Sequence, residues 1–184
     1  MVKLYSVVLM VYKQNNTPDI IYSSFELSDF GFFKRPTIKE LCVFASVESI
    51  KRSSIGQRTS LEHQSLMCYT HILDSGFAAS CVTDLEYPSR IAYDFLFQVL
   101  KKYLDTKSES DIDMLLQSYQ DVNKIDKISA IKNEINETTK ICNDTINKLL
   151  IREDELHDLL QKTEHLSEQT KLFLDESKKL NSCC

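Results

Sequence analysis

Residues 57–84 read QRTSLEHQSLMCYTHILDSGFAASCVTD, three short strand-like runs (QRTSLEH, SLMCYTHILD and GFAASCVTD) with Gly76 marking a tight turn between the last two. Upstream, Pro36 stands where a helix can begin. Residues 37–54 then carry apolar side chains at Leu41, Phe44, Ala45, Val47 and Ile50, the pattern of a helix of four to five turns. Before that helix, residues 3–12 (KLYSVVLMVY) and 19–27 (DIIYSSFEL) are rich in Val, Ile and Tyr, with a turn between them, and read as a hairpin. After the three runs, Pro88 opens a helix over 89–105 that is apolar almost all round. Residues 105–112 read as a polar link, and DMLLQSYQDV as a further short helix. Two strands, a helix, three strands and then helices predict an α+β domain, an antiparallel sheet sandwiched by helices.

Composition narrows the function. The chain has 184 residues, 42% of them hydrophobic and 27% charged, and a formal net charge of -5 with Lys and Arg scattered. That is ordinary for a water-soluble protein and gives no electrostatic support for binding nucleic acid. The residue pattern contains no signal-peptide h-region with a cleavage site and no run of the length a membrane span needs. Cys42, Cys68, Cys81 and Cys142 lie in apolar segments without metal-ligand spacing, so they read as buried, reduced thiols, and Cys183 and Cys184 stand apart. The four His residues are dispersed and read as structural or exposed, so no metal and no cofactor are expected. No nucleophile–base pair can be assembled, and an enzyme working through the terminal thiols would lack both base and oxyanion hole.

From about residue 125 aromatics almost vanish, Pro and Gly disappear, and only a 3.5-residue period remains. Stepping by three and four from Arg152 gives a seam. Upstream it runs Leu149, Thr145, Cys142, Thr138, Ile135, Ile131 and Ile128; downstream, Leu156, Leu159, Thr163, Leu166, Thr170, Phe173, Ser177 and Leu180. Sixteen a/d positions in register make a coiled-coil segment, and flanking Ile141, Ile146, Leu160 and Leu174 widen the face toward a four-helix bundle. The seam is weak, with five positions Thr or Ser, so alone it should be largely disordered and fold when partner helices arrive. Arg152 sits at a d position and points inward in any bundle, where its five N–H donors need acceptors. A carboxylate or a ring of glutamine carbonyls on other chains would serve; an Arg reaching the surface along its own stem is the alternative.

One arginine at the centre of a long, weak a/d seam resembles the R-SNARE motif. SDFGFF at 28–33, IGQR at 55–58 and TDLEYPSRIAY at 83–93 extend the likeness over nearly the whole chain, to the lipid-anchored longin R-SNAREs of the Ykt-six type. Each stretch also has a plain reading: a packed turn for FGFF, a helix end at Gly56, and a strand-to-helix connection from Asp84 to Pro88 with Arg90 in the first turns.

The resemblance implies a longin (profilin-like) domain over 1–122 with a five-stranded antiparallel sheet, an R-SNARE helix over 125–181, and a lipid-anchor tail at 182–184. It implies Arg152 as the central polar layer and Ile128, Ile131, Ile135, Leu149, Leu156, Leu159, Leu166, Phe173 and Leu180 as apolar layers. Phe44 is implied at the groove where the longin domain meets its own SNARE segment; packing into the core is the alternative for it. Implied partners are three glutamine-bearing SNARE helices, the machinery that takes such bundles apart, and a membrane reached through lipids on Cys183 and Cys184. The implied place is reversible residence on the cytosolic face of Golgi, vesicle and endosomal membranes, in docking and fusion along the secretory and endosomal route. The family carries three residues beyond the Cys pair; whether both Cys are prenylated at a bare Cys-Cys end or the tail is missing stays open. A longin-type trafficking adaptor with a dimerising tail is the competing function.

Overall fold

The computed structural model describes residues 2–13, 17–63, 65–125, 147–149, 159, 162–163 and 166–173. Strands β1 (Leu4–Val11) and β2 (Asp19–Phe25) form the expected hairpin, and a 3-10 turn at Phe32–Lys34 leads into α1 (Arg35–Lys51). Strands β3 (Arg58–His63), β4 (Leu66–Ile72) and β5 (Phe77–Asp84) follow, then α2 (Ser89–Thr106) and α3 (Glu109–Ser118). A short strand β6 (Asn147–Leu149) completes a sheet ordered β2-β1-β5-β4-β3-β6. The first five strands are antiparallel, the five-stranded sheet of the sequence reading.

The central strands are buried on both faces, which is why their sequences are continuous apolar runs rather than alternations. Along β1, Val7 and Leu9 enter the cluster with α2 and α3, while Val8 and Met10 pack with Ile50 of α1. On β5, Ala79 and Cys81 take the α2 side, and Ala78 and Val82 the α1 side. The α2 face is strongly apolar: Ile91, Phe95, Leu96, Val99 and Leu100 are at most 1% exposed.

The α1 face is built differently. Ser49 on α1 and Ser53 just beyond its end meet Thr70 and Thr59 of the sheet at 2.8 and 2.7 Å, and Ser80 joins Thr70 at 3.1 Å. These buried hydroxyls satisfy one another, which burial requires, and their small size seats α1 close to the strands. Cys42, Cys68 and Cys81 are free and buried, with burial pushing the Cys42 thiol up to about 12 and the other two upward as well. His71 is held neutral, its pKa lowered to about 4 by burial and then by the Arg58 charge.

TDLEYPSRIAY acts as a structural tie. The Tyr87 hydroxyl donates to the Tyr119 carbonyl at 2.9 Å, joining the entry of α2 to the end of α3. Tyr93 donates to the Thr59 carbonyl at 2.8 Å, joining α2 to β3.

Three details differ from the sequence reading. Helix α3 begins at Glu109 rather than in the 113–122 stretch, because Ile112 is fully buried against α2 and acidic Glu109 and Asp111 suit a first turn. Gly56 is not a helix end: α1 stops at Lys51, and Gly56 adopts φ 75° in the turn before β3. FGFF is not a packed turn, since only Phe30 reaches the core while Phe32 and Phe33 are 76% and 92% exposed.

Phe95 is fully buried, its ring centroid 5.1 Å from that of Tyr119. Phe95→Ala should therefore lower unfolding stability by about 3–5 kcal/mol in chemical denaturation. Phe33→Ala, at the exposed tip, should change it by no more than about 0.5 kcal/mol.

Candidate functional site

The C-terminal segment returns to the α/β domain at two places. Residues 147–149 pair with the free edge of the sheet as a parallel strand, Thr59 opposite Asn147, Ser60 opposite Lys148 and Leu61 opposite Leu149. The sequence reading makes Leu149 a layer of a helix that forms when partner helices arrive; in the lone chain it lies in a strand. The edge of β3 supplies the cause: it offers unpaired N–H and C=O groups to any chain that can lie beside it, and Asn147 is a poor helix former.

The second place is built on α1. Leu166 is 6% exposed and Thr170 fully buried, and Phe173 packs against the cluster of Leu27, Ile38, Cys42, Leu61, Cys68 and Val82. These are three consecutive seam positions at i, i+4 and i+7, so the stripe that patterned the sequence lies against the α/β domain. Lys34 stands over the Phe173 ring at 5.9 Å. Leu159 and Thr163 are half-buried, and Thr163 N–H donates to the Leu159 carbonyl at 3.1 Å.

Glu40 fixes this docking. Residues 168–173 are helical, and Ser167 caps them, its hydroxyl accepting from the Thr170 N–H at 3.3 Å. One oxygen of Glu40 in turn accepts from the Ser167 N–H at 2.9 Å, the Ser167 hydroxyl at 2.9 Å and the Thr170 hydroxyl at 2.7 Å. Glu40 thus does from α1 what the carboxylate of a capping box does from within a helix, accepting from the N-cap amide. Burial alone raises its pKa, but the three donors outweigh that and hold it below the ordinary value of 4.5.

The sequence reading missed Glu40, because an acid on the outer face of an amphipathic helix looks like any solvated charge. The Ser167 cap was legible as Ser followed by Glu168 and Gln169, but the longer heptad pattern overrode it. Phe44, expected at the intramolecular groove, is half-buried on α1, one turn beyond Glu40. The seam residues Ile128, Ile131, Ile135, Leu156 and Leu180, the central Arg152, and the pair Cys183 and Cys184 lie outside the described residues. Among the described residues no cluster of His, Cys, Asp and Glu could hold a metal ion, and no helix is long and apolar enough to cross a membrane.

Removing the Glu40 carboxylate should loosen the segment without unfolding the sheet. For Glu40→Ala we expect a loss of about 0.5–2 kcal/mol in docking, the usual cost of a cap, read as faster amide exchange at residues 166–173 with β1, β4 and β5 unchanged. The pH dependence has a fixed sign. A carboxylate whose pKa is lowered in the docked state contributes fully above its ordinary value of 4.5 and loses that contribution as pH falls through the lowered value. Acidification should thus speed exchange in wild type more than in Glu40→Ala; an equal response would remove Glu40 from the account.

Comparison with known proteins agrees with this architecture. Residues 27–125 match the longin family model, described as a regulated-SNARE-like domain, and residues 127–183 match the synaptobrevin family model. The chain is 32% identical to the synaptobrevin homologue YKT6 of Dictyostelium discoideum over 198 residues, covering 99% of this chain and 98% of the relative. It is also 32% identical to the ykt6 synaptobrevin homologue of Schizosaccharomyces pombe over 194 residues, with the same coverage. SNARE proteins of this kind act in vesicle trafficking and are not enzymes. With both family models in series and full-length relatives on this scale, the chain belongs to the Ykt6-type synaptobrevin homologues, the longin-domain SNARE proteins.

Proposed function

We propose that this protein is an R-SNARE whose segment from about residue 125 to 181 zips with three glutamine-bearing helices to dock and fuse membranes, and that the docked arrangement described above is its resting, autoinhibited form. The observation that carries this reading is the docking of seam positions on the α/β domain: Leu166 and Thr170 are buried, Thr170 bonds Glu40 of α1, and Phe173 packs on the core cluster beside it. A stripe buried there cannot be buried in a bundle. The backbone makes the same exclusion. In a continuous helix the Ser167 N–H would bond the Thr163 carbonyl four residues back, yet here it is given to Glu40. Strand pairing at 147–149 likewise takes amides that a helix would need. Phe44, on the same helix as Glu40, would complete the groove. Disassembly machinery would return the segment to the resting form.

Within the bundle Arg152 would be the inward donor, its neighbours Leu149 and Leu156 packing as apolar layers and Glu153, Asp154 and Glu155 projecting outward. Arg152→Gln should assemble with modest loss, because four amides in one layer can pair among themselves. Arg152→Glu would bury a carboxylate against carbonyl dipoles and should cost at least about 1–3 kcal/mol. Melting of complexes with purified partner helices should rank wild type first, Gln next and Glu last. A Glu variant that assembles as well as wild type would place Arg152 on a solvated rim and count against the R-SNARE reading.

Anchoring is assigned to lipids on Cys183 and Cys184, which would hold the protein on the cytosolic face of Golgi, vesicle and endosomal membranes and release it when one is removed. One chain gives marginal binding and two give stable anchoring. Replacing both Cys by Ser should leave a folded protein in the soluble fraction; a double variant that still sediments with membranes would require another anchor.

A further inference from the structure

The 3-10 turn before α1 raises two aromatic rings off the surface. Phe32 and Phe33 are 76% and 92% exposed and stack edge to face at 5.7 Å. Exposed singly, a large apolar side chain needs no explanation, but two adjacent rings on a braced turn do. The bracing is specific. Phe30 packs on Tyr5 at 5.4 Å and anchors one end, while Arg35 donates to the Phe30 and Ser28 carbonyls at 3.0 and 3.2 Å. Lys34 N–H donates to the Gly31 carbonyl at 2.8 Å, and Pro36 opens the helix beyond. The turn holds its rings outward by its own hydrogen bonds.

Cations accompany the tip. Lys34 and Arg35 follow Phe33 directly and Lys39 lies one helical turn on; among the described residues none of the three is ion-paired to a carboxylate, although Arg35 bonds carbonyls of the turn and Lys34 and Lys39 lie over the Phe173 and Phe25 rings. The nearby acids are occupied: Asp29 by Lys3, Glu40 by Ser167 and Thr170, and Glu26 by Ser28 and Gln117. In a chain of net charge -5 this leaves a local apolar tip with a basic base. We infer that Phe32 and Phe33 insert into the headgroup–acyl boundary of an anionic lipid surface, with Lys34 and Lys39 facing its charge. Aromatic rings at the interface and basic residues just behind them are the chemistry that such a surface selects. A protein groove is disfavoured as the occupant, because the rings project from a convex turn backed by positive charge.

Chain length supports the same surface. Phe173 lies 5.9 Å from the Lys34 amine, and Cys183 is ten residues further along, a span of at most about 35 Å. Lipids on the terminal pair and the aromatic tip can therefore reach one membrane together, the tip acting as a second contact. Only this last step rests on the lipidation proposed above; the tip itself does not.

The test uses the full chain without lipid, produced in bacteria, and co-sedimentation with vesicles of phosphatidylcholine alone or mixed with phosphatidylserine. Wild type should bind the mixed vesicles more tightly, and binding should weaken as salt rises. Phe32→Ser with Phe33→Ser should reduce that binding about tenfold, with the thermal melt unchanged because both rings are already in water. Equal binding by the double variant, or no wild-type preference for anionic vesicles, overturns the inference. A double variant that keeps vesicle binding but loses complex formation with partner SNARE helices overturns it too, and assigns the tip to protein docking. Because no lipidated protein is involved, failure here is separate from failure of the anchor, which the native protein's mass reports independently.

Discussion

An apolar stripe can be covered by only one surface at a time. Leu166, Thr170 and Phe173 belong to a sixteen-position seam, and in this structure α1 and the cluster beneath it cover them. Each fully buried Leu or Phe is worth about 1.5–3 kcal/mol relative to exposure, so a handful of such contacts is comparable with the stability of a small interface. Whatever unfolds this docking must return that free energy, and partner helices burying the same residues would do so. The competition needs no distant signal, because it is a choice between two covers for one set of side chains.

The backbone sharpens the choice. An N–H donates to one acceptor at a time in good geometry, and the Ser167 N–H is committed to Glu40. Glu40 therefore reads whether the chain breaks at Ser167 or runs through it as helix. The β3 edge does the same for residues 147–149 with ladder bonds. Side-chain burial and backbone bonding oppose the continuous helix at separate points, so the docked form is held by several modest contacts. Weak positions such as Thr170, fully buried here, suit both covers: a threonine loses little in a mixed interface and contributes little to a tight bundle.

Much of this was legible in the residues. The five antiparallel strands, α1 and α2 were fixed by runs of β-branched and aromatic residues, by Pro36 and Pro88, and by Gly76. Their boundaries moved by only a few positions. What was illegible has a common physical cause. A heptad pattern records the bundle, the state with the longest periodic signal, and conceals a second fold of the same residues that uses short strands and a capped half-helix. The edge of β3 has no sequence signature at 147–149, and Glu40 gains its role only from a residue 127 positions away. The exposed Phe32 and Phe33 were misread because apolar clusters in a turn usually pack, and only the geometry of the turn shows which of its three rings goes inside.

The most direct measurement is amide exchange at the β3 edge while three glutamine-bearing SNARE helices are titrated into the full-length protein. Ser60, whose N–H faces residues 147–149 while those of Thr59 and Leu61 face β4, should lose protection in proportion to the bundle formed, as residues 147–149 leave the sheet and enter the helix. If a bundle forms with Ser60 still as protected as in the free protein, the segment has two independent halves, and the single choice of cover proposed here is contradicted.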